Sequence, residues 1–117
     1  MKVTFDFLPE FEKRAKSLAR KYKSFSEDYN IFLNELEKNP FCGESLGHHT
    51  YKYRMTITAK GKGKSGGARV ITYNVKYNLP EDDVLIILMS IYDKNEISNV
   101  SDNYLRSLIQ AIEESRK

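Results

Sequence analysis

The chain has 117 residues, of which 40% are apolar and 30% charged, with a formal net charge of +3 and a single cysteine. That length supports one small core, and residues 1–117 read as a single domain. No apolar run approaches the ~20 residues of a membrane span, so no membrane partner is expected. MKVTFDFLPE lacks a signal peptide's apolar block, and Cys42 alone can make neither an internal disulfide nor a cysteine-based metal cluster. A cytoplasmic protein without cofactor or metal is the expectation.

Val3, Phe5 and Phe7 alternate as one face of a short strand that ends at Pro9. Pro9 suits the first turn of a helix predicted over 9–22, with Glu10 and Glu12 favourable at its N-terminus. Phe11, Ala15, Leu18, Ala19 and Tyr22 form its apolar stripe, and Lys13, Arg14, Lys16, Arg20 and Lys21 read as a solvated basic face. Ser24 or Ser26 can cap a second helix, because Glu27 and Asp28 follow. Tyr29, Phe32, Leu33 and Leu36 supply its stripe, and Asn39-Pro40 stops it. So short a connection predicts an antiparallel helical hairpin. Residues 40–49, PFCGESLGHH, read as a connecting loop in which Cys42 is a small turn residue rather than a nucleophile.

The next stretch concentrates charge of one sign. Between Ser45 and Pro80 there are seven cations and no acid, against twelve cations and sixteen acids elsewhere. Lys52, Arg54, Thr56 and Thr58 alternate with Tyr51, Tyr53, Met55 and Ile57, the period of a half-buried strand. A second strand follows through Arg69, Ile71, Tyr73 and Val75, with apolar residues in both alternating sets. The tip between them carries Gly61, Gly63, Gly66 and Gly67 with Lys60, Lys62 and Lys64, and is expected to stay wet and mobile. A hairpin with cations on its strands and tip suits a polyanion.

Asn78 to Asp82 is a polar turn, and VLIILMSI (84–91) reads as an interior strand covered on both faces. Ser101 starts a last helix with Leu105, Leu108, Ile109 and Ile112 on its apolar side. The order predicts α+β: a four-stranded antiparallel sheet with an N-terminal helical hairpin and a C-terminal helix packed on it. Two motifs fail. Gly63-Lys64-Ser65 would need a glycine where Thr58 stands and a helix after it to be a phosphate loop. His48 and His49 are adjacent and would face opposite ways on a strand, so they do not chelate one metal.

A helical hairpin, then KYRMTI and GKGKSGGARVITY, then VLIILMSIYDKNE and a short helix together resemble the RelE/ParE superfamily of bacterial toxins, and within it the RelE and HigB types. The resemblance covers almost the whole chain. It implies the toxin of a type II toxin–antitoxin pair, a metal-independent endoribonuclease that cuts messenger RNA in the ribosomal A site. By position it assigns the catalytic set to Lys52, Arg54, Arg69 and Lys94, with Lys60, Lys62 and Lys64 as RNA contacts. Tyr73 and Tyr92 are possible aromatic contributors. RelE-type sites also use a tyrosine after the last strand; here Ser101 stands near that place, and Tyr92 or Tyr104 could substitute. Implied partners are the ribosome, mRNA and a helix-rich, DNA-binding antitoxin that masks the basic site or blocks ribosome entry. The chemistry suits these residue types: Arg69 as phosphate clamp, Lys52 or Lys94 as base or acid. The alternatives are a ParE-like inhibitor of DNA gyrase, against which the strand-borne cations argue, and a non-catalytic module that blocks translation by binding RNA or ribosome.

Overall fold

The apolar run from Val84 to Ile91 needs cover on both faces and a ladder partner on each side, and the fold supplies all four. The computed structural model describes residues 1–116. In chain order it forms β1 (Val3–Phe7), α1 (Pro9–Lys21), α2 (Phe25–Lys38), β2 (Glu44–Gly47), β3 (Thr50–Met55), a 3-10 turn at Thr58–Lys60, β4 (Ala68–Tyr77), β5 (Asp83–Asp93) and α3 (Asp102–Ser115). The strands make one five-stranded mixed sheet in the order β1-β5-β4-β3-β2.

The expected four-stranded antiparallel sheet behind an N-terminal helical hairpin is corrected in three respects. β1 lies parallel to β5, pairing Val3 with Val84 through Phe7 with Leu88. A parallel neighbour cannot be reached by a tight turn, so both helices and three strands intervene. The helices follow β1, as the strand read at Val3–Phe7 implies, but they are not an N-terminal hairpin set against the sheet as one unit: α1 packs chiefly on β5 and meets α2 where Phe11 and Tyr29 stand 5.9 Å apart. Finally, ESLG within the expected loop forms β2, antiparallel to β3 with a register shift between Ser45 and Gly47.

Each sheet face has its own core. Phe11, Leu18, Phe25, Phe32 and Leu36 of α1 and α2 cover Tyr53, Met55, Val70, Ile86 and Leu88. On the other face Leu108 and Ile112 of α3 cover Ile71, Ile87 and Met89. Burial on both sides explains why both alternating sets of β4 are apolar. Between Ile71 and Thr72 the β4–β5 register slips so that Met89 is an extra residue in β5. Such a bulge exchanges the faces of the residues beyond it. Ile91 thereby joins the α1–α2 core, and Tyr92 turns toward the α3 side.

Ser101 caps α3 as expected, its hydroxyl accepting from the Tyr104 N–H at 3.1 Å. Ser24 precedes α2, but its hydroxyl donates to Asp28 at 2.8 Å instead of capping a backbone amide. No helix among the described residues is long and apolar enough to cross a membrane. Gly67 joins the long loop to β4 so closely that a Cβ there would lie 2.1 Å from the Met55 carbonyl oxygen. Gly67→Ala is therefore expected to lower stability by about 2 kcal/mol, seen as a fall in the urea midpoint, because backbone must move to admit the methyl.

Candidate functional site

The pleat of β3 sends Tyr53 and Met55 into the α1–α2 core and leaves Lys52 and Arg54 on the opposite face. Register then sets Arg69 of β4 opposite Arg54, and Tyr92 of β5 opposite Arg69. This row opens onto a cleft of about 740 Å³, which no α3 residue lines and which rounds the outer edge of β3 to Phe32, Glu35 and Leu36. Lys52, Arg54, Lys64, Arg69 and Lys94 all line it, with Cys42, Glu44, Tyr92 and Ser98. The four residues carried over as catalytic thus come from two strands, β3 and β4, and the segment after β5 to one concavity.

Its electrostatics are unbalanced. Glu44 pairs with Lys52 at 3.3 Å and Glu35 with Lys64 at 3.1 Å. Among the described residues no carboxylate lies within ion-pair distance of Arg54, Arg69 or Lys94. Arg54 and Arg69 are direct cross-strand neighbours, an arrangement that costs a folded sheet a few tenths of a kcal/mol. Hydrogen bonds to backbone carbonyls account for Arg69, while Arg54 has no side-chain hydrogen bond or ion pair among the described residues.

Arg69 differs from the other cations. Only 8% exposed, it donates from Nη1 to the carbonyls of Lys64 at 3.1 Å and Ala68 at 3.2 Å, and from Nη2 to that of Ser65 at 3.0 Å. Burial first, then the neighbouring Arg54 charge, pushes its pKa down from the usual guanidinium range, with Tyr92 opposing. A guanidinium stays charged at neutral pH all the same. Its fork ties down the end of the loop that carries Lys64. Burial raises the pKa of Tyr92, the Arg69 charge offsets this in part, and Glu44 adds to the rise. Only 3% of Tyr92 is exposed, so it forms wall rather than platform.

The loop from Thr56 to Gly67 is not the open tip the glycines suggest. Asp28 of α2 accepts from the Thr58 N–H at 2.8 Å and its hydroxyl at 2.6 Å, while Ser24 accepts from the Ala59 N–H at 2.9 Å. Lys60, grouped with the RNA-contacting lysines, has a side chain only 5% exposed and donates to Asp93. Tyr22 donates to the other Asp93 oxygen at 2.6 Å, and the Asn95 N–H donates at 3.0 Å. Burial acts to raise the Asp93 pKa, but the hydrogen bonds from Lys60 and Tyr22 prevail and hold it down to about 2. Lys60 is thereby withdrawn from any role toward a ligand. Lys62 is exposed on the loop, outside the cleft lining, and Lys64 is the tip lysine the fold delivers to the cleft.

Other singled-out residues lie elsewhere. Tyr73 is on the α3 side, its ring 5.6 Å from that of His49, in a shallow groove with Arg106 and Glu113. The Tyr104 hydroxyl donates to Glu10 at 2.6 Å and bonds Ser90 at 2.7 Å, tying α3 to α1 and leaving the cleft without it. His48 and His49, both at positive φ, turn β2 into β3, and no group of three or more His, Cys, Asp or Glu side chains forms a metal-holding cluster among the described residues. Sequence reasoning missed Glu35 and Glu44, the carboxylates at the rim. It also missed Asp28 and Asp93, which anchor the loop; their partners lie 30 and 33 residues away, beyond any local pattern. No family model matches the chain.

Proposed function

We propose that this chain is a ribosome-dependent mRNA endoribonuclease, the toxin of a toxin–antitoxin pair acting in the cytoplasm. The observation that carries the reading is the basic cleft, in which Arg54 and Lys94 stand without carboxylate partners among the described residues, beside Lys52, Lys64 and Arg69. Such a set suits a substrate whose reacting group is a phosphodiester. Arg54, planar and unpartnered, is the natural clamp for the scissile phosphate, and the charge it offers grows in value as the phosphorane forms. Lys52 and Lys94 are the proton carriers: one, as the neutral amine, accepts the ribose 2′-hydroxyl proton, and the other, as the ammonium, gives a proton to the leaving 5′-oxygen. The 2′-oxygen bonds to phosphorus, the bond to the 5′-oxygen breaks, and a 2′,3′-cyclic phosphate and a 5′-hydroxyl result. Arg69, first assigned as the clamp, becomes the residue that builds the loop wall and adds field from behind.

An exposed cleft with no histidine would be a slow nuclease alone. Presentation of mRNA in line by the ribosome supplies the missing orientation. An antitoxin would act by covering the same cations. The test is primer extension on a reporter mRNA in translating lysate and in lysate without ribosomes. New 5′ ends at A-site codons only with ribosomes, lost in Arg54→Ala, are the expected result. Inhibited synthesis over intact mRNA would replace the nuclease with an RNA- or ribosome-binding module, and intact mRNA with unaffected translation would direct attention to DNA gyrase.

A further inference from the structure

We propose that Glu35 and Glu44 are built-in competitors of the substrate phosphates, a pair of internal counter-ions that keeps the cleft from holding RNA outside its intended setting. This rests on the RNA-cleaving reading and assigns its selectivity to two residues. They come from separate elements, α2 and the start of β2, yet each reaches across a lip of the same cleft to one of its cations. Glu44 meets Lys52 at 3.3 Å and Glu35 meets Lys64 at 3.1 Å. Both carboxylates are well exposed, 63% and 46% by side chain. Exposed pairs of this kind contribute little to stability. A phosphate seeking either lysine must first displace a carboxylate, whereas Arg54 and Lys94 are open to it at once. The cleft therefore offers two ready cations and two that a ligand reaches only by exchange. A loose single strand gains too little from the ready pair to hold. A strand fixed in place by another macromolecule gains the exchanged pair as well, because its phosphates are already positioned.

The experiment compares wild type with Glu35→Gln/Glu44→Gln and, as control, Glu37→Gln, an exposed carboxylate of α2 outside the cleft lining. The probe is a short fluorescent single-stranded RNA of mixed sequence, titrated across a salt series without ribosomes. The double variant is expected to bind roughly tenfold tighter at low salt, with a steeper dependence on salt concentration as Lys52 and Lys64 become available to phosphates. It is also expected to cut the free strand detectably, with an unchanged urea midpoint. Glu37→Gln should shift affinity no more than about twofold, through net charge alone. Equal effects of the control and the double variant, or a double variant that loses stability without gaining affinity, overturn the proposal and leave the two pairs as struts. If the double variant binds no RNA and Arg54→Ala inhibits translation as wild type does, the RNA reading itself fails, and this inference with it.

Discussion

Arg54→Ala is expected to lower ribosome-dependent cleavage by about a hundredfold or more while leaving the protein as stable as before, or more stable by a few tenths of a kcal/mol. The two halves of that result have one cause. Arg54 stands directly across the β3–β4 ladder from Arg69 and has no carboxylate among the described residues. In the folded chain alone its charge is a liability; on the proposed reading a phosphate beside it, with Arg69 behind, would turn that charge into a charge-assisted donor. Removing it relieves repulsion and removes the clamp together. Steady-state cleavage on programmed ribosomes and a urea titration of the same preparation check both. Arg69→Ala should behave differently, losing activity and stability at once, because the loop carbonyls of Lys64 and Ser65 and that of Ala68 lose their donor and the Lys64 segment is released. Were Arg54→Ala to unfold while Arg69→Ala merely lost activity, the two roles would have to be exchanged.

The second large effect belongs to Asp93. Replacing it with alanine leaves the Lys60 ammonium buried without a counter-charge and the Tyr22 hydroxyl without its acceptor. A loss of about 3 kcal/mol is expected, most of it recovered in Asp93→Ala/Lys60→Met, where no orphaned charge remains. The wild-type pair also has a pH signature. The Asp93 pKa is lowered from 3.8 to about 2, against the burial that would raise it, by the Lys60 and Tyr22 hydrogen bonds. A carboxylate depressed in the folded state contributes stability above its unfolded pKa and loses it as pH falls through the folded value. The contribution, about 2 kcal/mol, should therefore be intact above about pH 4 and fade toward about pH 2. Asp28 acts with the same sign: burial raises its pKa, but hydrogen bonds from Thr58 and Ser24 prevail and lower it. Urea midpoints followed from neutral pH into that range should fall steeply for wild type. For Asp93→Ala/Lys60→Met the slope should be shallower, with the Asp28 part remaining.

Periodicity made the helices and strands of the two cores legible, because their side chains must repeat at 3.6 or at 2 to reach the sheet. Pro9 and Ser101 mark the starts of α1 and α3 because a ring without an N–H and a hydroxyl acceptor suit the first turn wherever the helix docks. What the chain does not spell out locally is pairing. β1 and β5 are about 80 residues apart, and nothing in VTFDF states that its neighbour is parallel. β2 is four residues with one partly buried side chain, Leu46, too short to alternate. Met89 is one more apolar residue in an apolar run, so the bulge that turns Tyr92 toward Arg69 leaves no trace in composition. The cleft shows the same division. Excess charge between Ser45 and Pro80 was visible and marked seven cations, from which the resemblance singled out Lys52, Arg54 and Arg69. Which tip lysine reaches the cleft was not visible, since Lys60 is buried against Asp93 and Lys64 meets Glu35, both partners far along the chain.

The most direct test of the cleavage chemistry needs no variant of the protein. An mRNA carrying a single 2′-O-methyl group at the nucleotide whose 2′-oxygen would attack is placed on programmed ribosomes with the wild-type chain, beside the unmodified message. The mechanism predicts that the modified message stays intact at that position, while the unmodified one yields a 2′,3′-cyclic phosphate on the upstream fragment. Equal cutting of both, leaving a 3′-hydroxyl, would mean that water or another nucleophile attacks, and the roles given to Lys52, Arg54 and Lys94 would not stand.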